Sequence, residues 1–272
     1  MMARGRQLRL LFARVFGPTE VDCRLFDSSE LRVVLPEIVA ADLYMHGAIE
    51  PPVTQLLVER LRDGMVFVDV GAQYGYFSLL ASRLVGQNGT VIAFEPARGT
   101  ARLLRHNVGH LDNVVVEEAA VAERTGTVRL RDYGARHSAL NTALGTARAP
   151  AAERRRLVAR SYEVAAVSLD DYLAAHQLRP DIIKLDAEGS EYAILEGMGA
   201  TLRHVRPMIV LETGDYDGMA SPSTSQSIEL LEHASYTACE YDHGLRRHHR
   251  RPSYGYGNLV FAPDTRGPAA EP

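Results

Sequence analysis

Acidic side chains recur where short apolar runs stop. VFVDVGAQYGYFS places Asp69 at the end of a β-rich run, with Gly71 and Gly75 just after it, and VIAFEP ends in Glu95. NVVVEE ends in Glu117 and Glu118, IIKLDAEGSE carries Lys184, Asp186 and Glu188, and MIVLET carries Glu212. Carboxylates accept hydrogen bonds from hydroxyls, face cations and take up protons, so a set of them in one cleft is where a polar ligand and a general base are sought. Any single one is more often a solvated side chain or half of an ion pair. The set carries the argument.

Elements must bring these residues together. The runs 65–70, 90–95, 113–118, 181–186 and 208–213 alternate with helix-patterned segments such as YFSLLASRLV and EYAILEGMGATL. That rhythm predicts βαβ units and a parallel sheet with right-handed crossovers. The runs are apolar at both alternating positions, as strands covered on both faces are. YTACEYD (236–242) and GNLVFAP (257–263) predict a closing antiparallel pair. Ligands of open α/β sheets bind beyond the C-terminal strand ends, where strand order reverses. All the acids above belong to that edge. Gly71 would allow the tight turn, and Gly75 would let a ligand approach the helix start. Glu95, twenty residues after Gly75, stands where an acid accepts hydrogen bonds from ribose hydroxyls. Lys184, Asp186 and Glu188 alternate, so an extended strand would point them to one side, with Lys184 behind as the neutralising charge. Ser168 and Asp171 have the spacing of a capped helix start.

The glycine loop discriminates among nucleotides. A dinucleotide fingerprint would need glycine where Gln73 and Tyr76 stand, which disfavours a nicotinamide oxidoreductase. Acid-x-Gly-x-x-x-Gly suits S-adenosylmethionine, whose ammonium and sulfonium face carboxylates and which has no pyrophosphate to cradle.

Composition sets the outer limits. The chain has 272 residues, 46% apolar and 24% charged, with net charge −4. It is long enough for one large domain or two small ones, and general disorder is excluded. The mild acidity argues against a general nucleic-acid binder. No run approaches the ~18 apolar residues of a membrane span. MMARGRQLRLLFARVFG lacks a clean apolar h-region, so no signal peptide is expected and the location is read as cytoplasmic. Cys23 and Cys239 form neither a disulfide framework nor a CxxC pair. Lys184 is the single lysine beside twenty-nine arginines, a bias that base composition explains. Residues 1–45 read as an N-terminal extension packed on the main body, with a basic amphipathic start, a hairpin around Phe26–Val34 and a helix-like stretch to Tyr44. Residues 134–161 are rich in Ala, Arg and Gly, show no strand signal and admit a helix only from Ala151, so they form either a lid over the site or a surface insertion. The tail 264–272 is expected to be disordered.

Five stretches in order, GAIEPPVTQLL, VFVDVGAQYGYFSLLA, VIAFEPA, SLDDYL with IIKLDAEGSEYAILEGM, and RPMIVLE, resemble the FkbM-type S-adenosylmethionine-dependent methyltransferases. The resemblance spans roughly Met45 to Pro263. It implies a Rossmann-like class I methyltransferase fold over 46–263, a mostly parallel seven-stranded sheet with an antiparallel last strand. It also implies S-adenosylmethionine as cofactor, with Asp69, Gly71, Gln73, Gly75 and Glu95 as cofactor residues and Glu50 and Glu118 as weaker candidates. The family loop usually reads DVGAN, so Gln73 is a departure of one methylene. The implied chemistry is direct methyl transfer to a hydroxyl of a small natural product or sugar. Asp186 is the first choice of base, Glu188 the second, and His137, beside Ser138 and Asn141, a further one. N- or C-methylation of an aromatic natural product and a non-catalytic binding protein on the same fold are the alternatives. No metal is expected, although Asp186 and Glu212 are hard oxygen ligands. His248 and His249, in an Arg/His cluster, read as a solvated hairpin or a holder of an anionic substrate. The expected partner is a small-molecule acceptor, with neither nucleic acid nor membrane, and a homodimer is left open.

Overall fold

The computed structural model describes residues 2–143, 157–215 and 223–264. Strands β3 (Val66–Val70), β4 (Thr90–Phe94), β5 (Val114–Glu117), β9 (Ile182–Leu185) and β10 (Met208–Thr213) run parallel in the order β5-β4-β3-β9-β10. Strand β13 (Gly257–Pro263) pairs antiparallel with β10, and β11 (Tyr236–Tyr241) pairs antiparallel with β13. These are the expected seven strands. A short β12 (Leu245–Arg247) adds an eighth at the edge, antiparallel to β11. It arises because the basic segment after β11 folds straight back through a turn at His243 and Gly244, both at positive φ.

The period-2 pattern of the strands sorts their side chains onto two cores. Phe67, Val91, Ala93, Ile182, Val210 and Val260 pack on one face with α3 (Pro51–Arg60), α4 (Tyr76–Val85) and α5 (Arg98–Val108). Val68, Val70, Ile92, Ile183, Leu185, Ile209 and Leu211 pack on the other with α6 (Leu169–Ala175), α7 (Glu191–Glu196) and α8 (Thr224–His233). Both faces are therefore dry, which is why these strands need no polar alternation. Strand order reverses between β3 and β9.

The N-terminal residues form α1 (Met2–Phe16), a hairpin of β1 (Thr19–Arg24) and β2 (Glu30–Leu35), and α2 (Ile38–His46). The hairpin contains the expected Phe26–Val34 but starts earlier, at Thr19. Its turn sits inside that stretch because the Asp27 carboxylate accepts from the Ser29 backbone N–H at 3.0 Å and closes the chain there. Valines and leucines of the hairpin join the α4–α5 core, and the Asn107 side chain bridges α5 to β2 through the Arg32 backbone. A separate small sheet, β6 (Ala120–Val121), β8 (Arg160–Val167) and β7 (Gly126–Asp132), was not anticipated. Strand β8 begins inside the 134–161 segment that had shown no strand signal. Residues 144–156 of that segment, most of the helix expected from Ala151, and the tail from 265 lie outside the described residues.

Candidate functional site

A cavity of about 970 Å³ opens at the C-terminal ends of β3, β4, β9 and β10, at the reversal of strand order. This is where an open α/β sheet binds its ligand. Its floor begins with the loop after β3. Gly71 and Ala72 both donate backbone N–H groups to the Phe94 carbonyl (3.0 and 2.9 Å), and Gly71 has φ +81°. A Cβ at Gly71 would stand 1.7 Å from the Asp186 carbonyl oxygen, so this glycine lets the ends of β3 and β9 touch. Gly75, also at positive φ, faces Leu104 of α5, whose side chain would be 2.7 Å from an added Cβ. The close approach expected for a ligand is instead made by a helix, and Gly75 does not line the cavity. Gln73 does, in a left-handed conformation with φ +50°.

Glu95 lines the cavity and is buried. Its two carboxylate oxygens accept from the Ala97 N–H (2.8 Å) and the Gln73 N–H (3.2 Å). Burial pushes its carboxyl up to about 7, against the pull of those two backbone donors. Each oxygen keeps a further lone pair for a ligand hydroxyl.

On the α4 side of the sheet the alternation places Asp69, Lys184 and Glu212 on one face. Lys184 is paired in register with Asp69 on one neighbour and Val210 on the other. Its Nζ meets Asp186 Oδ2 at 2.5 Å and lies 4.7 Å above the Phe77 ring. Burial opposes its charge, but Asp186, Glu50 and Asp69 outweigh burial and hold the proton on Lys184. Glu50 projects from the start of α3 at φ +42° and accepts from Asn258 Nδ2 at 2.8 Å. Burial pushes its carboxyl up, with Lys184 pulling the other way. Asp69 is completely buried behind the wall and accepts from Ser78 Oγ at 2.6 Å. Burial raises its carboxyl too, against the pull of Lys184.

Asp186, Glu188 and Glu212 carry carboxylate oxygens that lie within 4.8 Å of one another. Strand β9 ends at Leu185, so it is not the extended alternation that turns Glu188 to the same side. A left-handed Glu188 (φ +48°) does so, and Thr142 Oγ1 donates to its carbonyl at 2.8 Å. Three carboxylates this close suit a cation, whether an organic ammonium or sulfonium or a hard metal ion.

The opposite wall comes from the N-terminal elements and the described start of the 134–161 segment. His137, Ser138 and Asn141 line the cavity together with Tyr74, Leu10 and Arg14. Ser138 Oγ bonds the Tyr74 hydroxyl at 3.1 Å, which ties this segment to the loop after β3. The sequence reading missed Glu37. It caps α2 by accepting from the Ala40 N–H at 2.8 Å, is fully buried, and lines the cavity. Its Oε1 has no hydrogen-bond partner among the described residues, and burial pushes its carboxyl up to about 7. Glu118 stands elsewhere, in a surface ion pair with Arg105 at 2.5 Å. The Arg/His cluster also lies outside the cavity wall. His248 is buried between Glu240 (2.8 Å) and the Tyr254 hydroxyl (2.9 Å), while Arg250 and Arg251 pair with Glu232 and Glu240. It is a pinned structural histidine rather than part of a solvated hairpin.

A parallel sheet reversing at its centre, with an antiparallel β13 beside β10 and an acid-lined cavity at the reversal, is the architecture of the class I methyltransferase fold. Residues 69–238 match the family model described as the methyltransferase FkbM domain. The chain belongs to that family of S-adenosylmethionine-dependent methyltransferases. Among solved structures it is similar to a methyltransferase FkbM from Methylobacillus flagellatus KT, with 15% identity and TM-score 0.44 over 81% of this chain and 52% of that one. This chain thus spans about half the length of that relative. A SAM-dependent O-methyltransferase from Thermotoga maritima shows 13% identity and TM-score 0.42 over 93% and 80%. The O-methyltransferase TomG from Streptomyces achromogenes, solved with SAM, shows 14% and 0.43 over 80% and 82%. No curated protein matches the chain.

Proposed function

We propose that the protein methylates a hydroxyl of a small natural product or sugar in the cytoplasm. Direct transfer from S-adenosylmethionine would take place in the cavity at the strand ends. The observation that carries this reading is that Glu50 and Asp186 act on the one cation Lys184 while Glu188 and Glu212 gather beside Asp186, all in the wall of that cavity. The negative surplus suits a cationic cofactor, and Glu95 keeps lone pairs for hydroxyl donors, so the residues fit it. The volume is near the top of the ~300–1,000 Å³ typical of ligand pockets, which leaves room for an acceptor as well.

Bound there, S-adenosylmethionine supplies an electrophilic methyl on a sulfonium. The chain's own part is to orient the acceptor, exclude water and take a proton. Holding the acceptor in line contributes up to ~7–11 kcal/mol in favourable intramolecular models. Lys184 fixes the carboxylate of Asp186, which would accept the proton of the acceptor hydroxyl. Glu188 is the next candidate for that role. His137 faces the same cavity from the opposite wall. Glu95 and Gln73 would hold the ribose, with Gly71 making the floor.

Asp186→Asn tests the assignment with labelled S-adenosylmethionine and a panel of hydroxyl, amine and aromatic acceptors. Loss of ~10²–10⁴-fold in turnover on a hydroxyl acceptor, with S-adenosylhomocysteine affinity retained, is the expected outcome. Full turnover in the variant contradicts Asp186 as the base. Transfer confined to amines or ring carbons would replace O-methylation with the alternative chemistry.

A further inference from the structure

The N-terminal helix α1 turns its apolar side outward. Leu8, Leu11, Phe12, Val15 and Phe16 recur at helical spacing and are each between 55% and 72% exposed. At 100° per residue they occupy one continuous arc. The Phe12 and Phe16 rings lie against each other with centroids 4.4 Å apart, forming one aromatic ridge. The opposite side is already used. Ala13 is buried, Leu10 reaches the cavity wall, and Arg6 donates to the Met45 carbonyl at 3.2 Å while lying over the Tyr44 ring.

Charge flanks the apolar arc on both sides. Arg9 stands at one border, Arg14 lies beyond the other, exposed at the rim of the cavity that it also lines, and the helix contains no acidic residue. Arg136, also at the cavity rim, adds a third exposed guanidinium at the C-terminal end of α1, where it donates to the Arg14 carbonyl at 3.2 Å. Self-association through this face would gather like charges at its rim, because the helix offers no acidic residue to pair with them. An anionic surface with an apolar interior satisfies both features at once.

We infer that the outer face of α1 docks the protein on an anionic lipid surface, with the Leu/Phe/Val arc entering the headgroup boundary, Arg9 facing lipid phosphates and the rim residues Arg14 and Arg136 reaching them from the cavity mouth. This departs from the expectation of no membrane partner; among the described residues no helix is long and apolar enough to cross a membrane, and the helix would lie on the surface. The opposite side of the same helix lines the cavity. Docking and access to the site therefore share one element.

Sedimentation of the 272-residue chain with phosphatidylcholine vesicles, with and without phosphatidylglycerol, tests this in low and high salt. Binding only to the phosphatidylglycerol vesicles, weakened by salt, is expected. Phe12→Glu with Phe16→Glu should lower that binding about tenfold or more, and Arg9→Gln, a milder change that keeps the fold, should lower it less. Circular dichroism and S-adenosylhomocysteine affinity should be those of the parent chain in all variants. No binding to the anionic vesicles at low salt overturns the inference, as does binding that the variants leave unchanged. So does a dimer, seen by light scattering, that Phe12→Glu with Phe16→Glu dissociates, because the face would then serve a second copy.

Discussion

Glu37 and Glu95 are two carboxyls buried in one cavity wall, and burial pushes both up to about 7. An unfolded carboxyl titrates near ~4.3. Between those values the folded chain holds protons that the unfolded chain has released, so stability from these groups falls as pH rises through the window and levels off above it. Glu37→Gln with Glu95→Gln removes both titrations. The thermal midpoint of this double variant should therefore gain on the parent as pH climbs from about 4.5 to about 7. A pH-independent offset between the two chains would contradict the assignment. Of this pair, only Glu95 was legible in the sequence, from its place at a strand end. Glu37 caps a helix in the N-terminal extension, and nothing local announces that the extension folds over the sheet edge. Lys184, Asp186, Glu188 and Glu212 were legible for the reason Glu95 was. Glu118 was misplaced because the end of β5 faces solvent beside Arg105. Gln73 gains a physical meaning at this scale. Asn, the usual residue of the family loop, is among the side chains most often found at positive φ, and Gln73 adopts φ +50° without that preference.

At the scale of elements, the loop after β3 and the end of β9 behave as one piece. Gly71→Ala would drive a methyl into the Asp186 carbonyl at a backbone angle that L-residues avoid. Urea unfolding should show a loss of about 3 kcal/mol or more, with weakened S-adenosylhomocysteine binding because Asp186 moves. Gly99→Ala is the matched control. Gly99 lies exposed in the first turn of α5 with open space around it, and the change should stabilise by ~0.4–1 kcal/mol. Equal losses at the two positions would refute the contact argument. The parallel strands were readable because burial on both faces leaves an unbroken apolar run. β8 was not, since half of its side chains are exposed and its apolar residues are mixed with Arg, Ser and Glu; β7 alternates only Val128 and Leu130 with Thr127, Arg129 and Arg131, a pattern too short to stand out beside the buried runs.

The whole molecule is a doubly wound sheet whose reversal point is roofed by chain from its own N-terminus. α1, α2 and the 136–143 stretch supply one wall of the cavity, and the strand ends supply the other. The central claim is that this enclosure holds S-adenosylmethionine with Glu95 on its ribose. Calorimetric titration of the purified chain with S-adenosylhomocysteine, with NAD as control, tests it most directly. The account predicts micromolar binding of S-adenosylhomocysteine, none of NAD, and a loss of ~1.5–3 kcal/mol in Glu95→Ala, the worth of a charge-assisted hydrogen bond. A folded protein that binds no S-adenosylhomocysteine, or a Glu95→Ala variant that binds it as tightly as the parent, would contradict it.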